Sequence, residues 1–372
     1  MNTEYLRDAS AQLALREIWP GCIPGNLHLR RDNYGRLAQH VMSELNELSA
    51  RTLVSPAALT QMLSKARTSS STGSGPDAMV DGLRQDLQAL QQHHTVLNIS
   101  RLAEFLVAIW LTLKVALPGI QLMTFQPTVS WTADKSLTDA INEAFASLRT
   151  HPSGASTQTP AFSGTLPAHF TIAYLTKNHG WTVSWSSNLL EHLQIDPHTK
   201  TVVIYEHKMA LVNHLQDLDD PTRHCPLPRA VLEEALDTLH ILFPPEDSPT
   251  KTWLEDQSRP FHTLGSCGRS EKRDISNYAY WQTNLWQLAA ELNKPRRGLR
   301  QLTVDADQRN LVDVVTFWTA AVVAVGLALG FGIASTYFSA RSYWVGQAQY
   351  DLALAQACSA EGANLSLPQY CS

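Results

Sequence analysis

The chain is predicted to be mainly α: an α-rich α+β cytosolic region followed by a single C-terminal transmembrane helix. Three observations predict this class. Val314 to Ala340 is a run of about 27 residues without a charged side chain, enough to cross a hydrocarbon layer of roughly 30 Å at about 1.5 Å per residue. Upstream of it, apolar residues recur mostly at steps of three and four, the helical period. Only Trp181 to Trp185, which alternates, and Thr201 to Tyr205, which is β-branched and apolar, read as short strands.

Composition sets the bounds. Of 372 residues, 44% are hydrophobic and 17% charged, and the formal charge of -5 is spread along the chain. Those are globular values with no basic footprint, so nucleic acid is not expected as a partner. Glu4, Arg7, Asp8, Arg16 and Glu17 interrupt any apolar leader in the first 30 residues. Insertion is therefore expected to depend on the C-terminal span itself, by a signal-anchor or tail-anchor route.

Residues 1–67 are predicted to form an N-terminal helical segment with helices over Tyr5 to Trp19, Asn33 to Leu48 and Pro56 to Ala66. Leu37, Val41, Leu45 and Leu48 lie on one face of the second, so it needs a partner to bury that stripe. TSSSTGSGP at 68–76 and HPSGASTQTP at 151–160 read as linkers too poor in apolar groups to pack. Between them, 77–150 is a helical unit. Leu83, Leu87 and Leu90 make a stripe, Leu102 to Leu117 is an apolar core helix broken by Glu104 and Lys114, and Asp134 to Leu148 is a helix capped by Thr132 or Asp134.

Residues 161–293 are predicted to form an α+β domain. A helix over Phe170 to Asn178 stops near Gly180, a short helix covers Asn188 to Leu193, and the two strands pair as a hairpin or ribbon on a helical layer. Helices follow over Lys208 to Leu215 and from Pro226 and Pro228 to Phe243, the last closed by Pro244-Pro245. Tyr278, Trp281, Leu285, Leu288 and Leu292 form an a/d seam over two heptads, which packs on its own domain or zips to a second copy.

A basic stem at 294–313 leads into the span at 314–337, leaving a tail at 338–372. Phe317 and Trp318 near one end, and Tyr337, Phe338, Tyr343 and Trp344 near the other, suit the headgroup level. Lys294, Arg296, Arg297, Arg300 and Arg309 precede the span and Arg341 follows it. Basic residues are retained on the cytosolic side, so the tail is expected in a lumen or outside. Membrane lipid is the first expected partner, with the stem against anionic headgroups.

The cysteines follow that topology. Cys22, Cys225 and Cys267 are expected reduced in the cytosol, while Cys358 and Cys371 could close a disulfide in an oxidising compartment, beside the glycosylation sequon at Asn364. Gly326 and Gly330, with Ala334 a step further, let a second helix approach the span closely, so a homodimer through the span is expected.

Chemistry is harder to find. Nine of the fourteen histidines fall between His169 and His262, yet no H-E-x-x-H or C-x-x-C places two ligands together. His207 and His214, seven apart with Glu206 near, could share a helix face, but no metal or cofactor is expected. Gly265-Ser266-Cys267-Gly268 is a tight turn that either exposes a nucleophilic thiol or holds a structural one. It resembles the G-x-C-G turn of chymotrypsin-like cysteine proteases, which need strands this region lacks. No phosphate-binding loop or nucleophile elbow is present. The leading expectation is thus a membrane-tethered interaction or scaffold module without catalytic activity, bound to a protein partner the residues do not identify. The alternatives are a membrane-anchored hydrolase using Cys267 and a histidine, and a histidine-based pH sensor.

One resemblance adds to this. Leu264 to Ser270 (LGSCGRS), Tyr278 to Trp281 (YAYW), Asp305 to Asn310 (DADQRN), Phe317-Trp318 and Ala348 to Cys358 (AQYDLALAQAC) resemble a group of uncharacterised filamentous-fungal membrane proteins with one C-terminal span. The resemblance covers roughly Leu166 to Cys358 and implies a fungal membrane protein. It assigns no catalytic or binding residue.

Overall fold

The computed structural model describes residues 9–20, 31–70, 76–89, 96–117, 126–149, 164–259, 261, 265–293 and 311–359. They fall in two compact units, Met1–Lys294 and Pro295–Ser372. The protein is mainly α with a few short strands, as its periodicity predicts.

The first unit opens with five helices: α1 (Ala9–Ile18), α2 (Arg31–Thr52), α3 (Pro56–Ser70), α4 (Pro76–Ala89) and α5 (Val96–Leu111). The stripe of α2 is buried, with Val41 and Leu45 fully covered. Ser55 accepts the Ala58 N–H and precedes Pro56, a residue whose fixed φ suits a first helical position. The segment read as a linker at 68–76 is shorter than predicted: Thr68 to Ser70 continue α3, and Pro76 starts α4.

Leu102 to Leu117 is not one helix. α5 stops at Leu111, and Thr112 turns the chain with φ 51 into β1 (Val115–Ala116), which pairs in parallel with β2 (Val129–Ser130). A β-branched residue in the left-handed region is strained. Here the Thr112 hydroxyl is held by the Leu111 carbonyl and the Tyr205 phenol. Glu104, the charge inside this apolar helix, accepts the Leu117 N–H at 2.6 Å, and burial pushes its carboxyl above the usual range. α6 (Leu137–Ala146) is capped by Ser136 instead of Thr132 or Asp134. α7 (Ile172–His179) is capped by Thr171 and closed by Gly180 at φ 70, where a glycine carries no Cβ penalty.

β3 (Thr182–Ser186), β4 (Ile195–Asp196) and β5 (Thr201–Tyr205) form a sheet in the order β3-β5-β4. This corrects the hairpin expectation: β3 and β5 run parallel, with Thr182 opposite Thr201 and Ser186 opposite Tyr205. Parallel strands need a crossover, and residues 187–200 supply it through a 3-10 turn at Leu189–Glu191 and antiparallel β4. α8 (Lys208–Asp219), α9 (Arg229–Leu242), α10 (Ser248–Asp256) and α11 (Gln282–Asn293) complete the unit. α10 is unforeseen, and Asp247 caps it by accepting the Thr250 N–H.

One hydrophobic core runs from Ala11 to Leu292, with Trp19, Trp110, Trp131 and Trp281 inside it. The boundaries placed at 68–76 and 151–160 therefore do not separate independent cores. The Tyr34 hydroxyl bonds the Asn213 side chain at 2.8 Å, joining α2 to α8 across 179 residues. The seam from Tyr278 to Leu292 is buried in this same core, with Leu285 and Leu288 fully covered. Zipping it to a second copy would require uncovering it.

The second unit contains α12 (Leu311–Cys358), 48 residues long. Among the described residues it is the one helix long and apolar enough to cross a membrane, and none of its apolar window is buried. The helix passes through the predicted span end at 337, so 338–358 is a continuation of the same rod. Thr319 and Thr336 return their hydroxyls to the Val315 and Gly332 carbonyls, so neither needs a partner outside the helix.

Candidate functional site

A cavity of about 150 Å³ opens where α2, the end of α5 and the loop after β3 meet. α2 contributes His40 and Glu44, one turn apart on its face, and the strained exit of α5 brings Thr112 and Lys114 to the rim. Ser187 and Asn188 close the other side. Asn188 fixes that loop: its amide donates to the Pro127 carbonyl at 2.9 Å and accepts the N–H groups of Leu190 and Lys114.

Behind His40 lies a second imidazole. His207 stacks on it with ring centroids 4.4 Å apart and planes 29° from parallel, and the Tyr205 ring meets His207 edge-on. His207 is 3% exposed, and neither ring nitrogen has a hydrogen-bond partner. Glu206 stands 3.8 Å from it but is engaged by Arg259, whose guanidinium lies over Trp185. Arg36, on α2, donates to the Ser258 carbonyl beside Arg259. Burial holds both imidazoles below the usual histidine range, and for His207 the neighbouring His40, Arg259 and Arg36 charges push the same way.

The other histidine of the predicted face, His214, is elsewhere. Its Nε2 donates to the Trp110 carbonyl at 3.1 Å, which fixes the tautomer and leaves Nδ1 to accept the Cys225 thiol at 3.4 Å. Both residues are buried, and burial lowers the His214 pKa to about 3. This cysteine–histidine contact was not legible beforehand, since eleven residues separate the partners and no motif spans them. His192 is similar: Nδ1 accepts the Tyr205 N–H, Nε2 donates to the Thr238 hydroxyl at 2.7 Å, and burial lowers its pKa to about 3.

Cys267 is half-buried in a turn with three left-handed residues, Gly265 at φ 58, Cys267 at φ 51 and Gly268 at φ 76. The cation beside it is Lys208, buried at the start of α8, which donates to the Gly265 carbonyl at 2.7 Å. Burial lowers the Lys208 pKa, and the Cys267 charge opposes this. α9 holds the turn's exit: Asp237 receives Arg269 in a two-pronged pair at 2.7 and 2.9 Å and Lys272 at 2.9 Å. Glu234 accepts the N–H groups of Ala279, Tyr280 and Trp281. The LGSCGRS and YAYW segments are thus fastened to one helix by two buried carboxylates.

On α12, Gly326, Gly330 and Ala334 share an uncovered stripe, and a Cβ added at either glycine would meet nothing within 4 Å. Cys358 is disulfide-bonded, while Cys371 and Asn364 lie outside the described residues. No three His, Cys, Asp or Glu side chains among the described residues converge to hold a metal ion.

Compared with protein-family models, curated proteins and solved structures, the chain matches none. What its own fold defines is a class: an α-rich protein with one candidate membrane-spanning helix at its C-terminal end.

Proposed function

We propose that this is a membrane-tethered interaction module without catalytic activity, with its large N-terminal unit on the cytosolic side and the end of α12 in a lumen or outside. The observation that carries the reading is α12, whose apolar surface is uncovered along its length and requires a solvent other than water. The basic residues between Lys294 and Arg309, against Arg341 alone beyond, support the sidedness. Gly326, Gly330 and Ala334 support pairing of two copies through the span.

Wild-type protein is expected to stay with vesicles through a carbonate wash. A Val325→Arg, Leu329→Arg double variant is expected to be stripped, since each arginine at mid-span costs roughly 2.5–3.5 kcal/mol. Release of the wild type would overturn the tether. In sealed microsomes, added protease should digest the N-terminal unit, and a pull-down from detergent extract should recover a stoichiometric protein partner. Recovery of the chain alone counts against the interaction role.

A second reading, histidine-based pH sensing, is favoured by the stacked pair His40 and His207 between α2 and the start of α8. Protonating either ring would place a charge in a buried site already flanked by Arg36 and Arg259, with only Glu44 and Glu206 to offset it. Limited proteolysis is then expected to speed up as pH falls below about 6.5, the ordinary histidine value, and to go on rising as acid is added, because both folded-state values are lowered. An unchanged digestion pattern would exclude this reading.

A further inference from the structure

We infer that the cavity between α2, α5 and the loop after β3 is a binding site for a small amino-acid zwitterion with an apolar side chain. Several buried and half-buried charges of this unit have partners: Asp237 has Arg269 and Lys272, Glu206 has Arg259, Lys208 has the Gly265 carbonyl and Glu104 the Leu117 N–H. The cavity contrasts with these. The Lys114 ammonium and the Ser187 hydroxyl, both half-buried, have no partner among the described residues. Glu44 has only the His40 ring, 3.9 Å away, and the His40 nitrogens make no hydrogen bond.

These four groups stand on two walls. Lys114 and Ser187 belong to one, because the residue after Ser187, Asn188, accepts the Lys114 backbone N–H. Glu44 and His40 belong to the other, one turn apart on α2. The first wall is lined by a lysine and a serine, the second by a glutamate and a histidine. A ligand with one charge would leave the opposite wall desolvated and unpaired, which is costly. A molecule carrying a carboxylate and an ammonium satisfies both.

The floor between the walls is apolar, made by Phe105, Ala108, Ile109 and Leu113, which recur on one face of α5 and its exit. A cavity of this volume accommodates a body of about six carbon atoms, since an engineered protein cavity of about 150 Å³ takes benzene. Leucine, valine and phenylalanine bracket that size. One carboxylate and one imidazole are too few ligands for a metal ion.

Isothermal titration calorimetry on the full chain in micelles would test the assignment, using L-leucine, L-valine and L-phenylalanine. Two truncated leucines, 4-methylpentanoate without the amine and 3-methylbutylamine without the carboxylate, serve as controls. At least one amino acid is expected to saturate, and each truncated form to bind at least tenfold more weakly. Lys114→Gln and Glu44→Gln should each weaken that amino acid at least tenfold while leaving the circular dichroism and thermal midpoint in place. Ala108→Leu, which fills the floor, should abolish binding and covers the case in which a charge variant fails to fold. No saturable heat with any of the three, equal binding of a truncated form, or full affinity in all three variants overturns the proposal.

Discussion

Lowering the pH from 7 to 4.5 is expected to remove about 5 kcal/mol of stability from the N-terminal unit, through His192 and His214 alone. Both are fully buried, and burial sets both folded-state pKa values at about 3, against about 6.5 in an unfolded chain. Folding excludes the protonated ring, so the unfolded state binds more protons in this window. The stability is fully present above about pH 6.5 and is lost by roughly 1.4 kcal/mol per histidine for each further unit of acid, down to about pH 3. His207, held well below the usual histidine range by burial and by His40, Arg259 and Arg36, adds to the loss. Glu104 and Glu234 oppose it, because burial raises their carboxyl pKa values and the folded state takes up their protons first. Urea titrations of the full chain in micelles at pH 7, 6, 5 and 4.5, followed by tryptophan fluorescence, would measure the slope. A stability that is flat or rising with acid refutes the buried neutral imidazoles.

Glu234→Ala is expected to cost about 4 kcal/mol, among the largest effects of any single substitution outside the apolar core. The carboxylate accepts three consecutive backbone N–H groups, from Ala279 at 2.7 Å and from Tyr280 and Trp281 at 2.8 Å. Tyr280 and Trp281 are buried, so water cannot replace the lost acceptor, and each orphaned donor costs about 1–3 kcal/mol. Glu234→Gln keeps one acceptor oxygen without the charge and should cost about half as much. The shift in urea midpoint at pH 7 reads both. A loss under about 1 kcal/mol for the alanine variant would mean that the YAYW segment is held by something other than this carboxylate.

What was legible beforehand was whatever depends on near neighbours. The α2 stripe, the Gly180 stop of α7, the Pro228 start and Pro244-Pro245 stop of α9, and the apolar run of α12 are all written within a few turns of chain. What was not legible depends on distant partners. Alternation in β3 announces a strand but not the parallel partner it finds in β5. The stop of α5 at Thr112 involves the Tyr205 hydroxyl, 93 residues on. α10 carries little apolar stripe and rests on the Asp247 cap. The candidate site suffered most: its lining runs from His40 to Asn188, and no spacing rule joins residues so far apart. Cys267 drew notice because glycines flank it, whereas Cys225, the thiol found on an imidazole, stands in no motif.

If α12 crosses a bilayer as proposed, its length has a consequence for what lies beyond the lipid. Forty-eight residues make a rod of about 72 Å, which would have to lean by about 65° to hide within a 30 Å hydrocarbon slab, well past the roughly 0–40° seen for membrane helices. Even at 40° the slab takes about 26 residues, so some 20 stand clear as a stalk. Tyr350 and Leu352 are uncovered on this part of the helix, and under the proposed placement lipid would not shelter them. A second helix lying alongside would, so under the proposed membrane placement the reach of this rod, more than the glycines inside it, is what a bundle would cover.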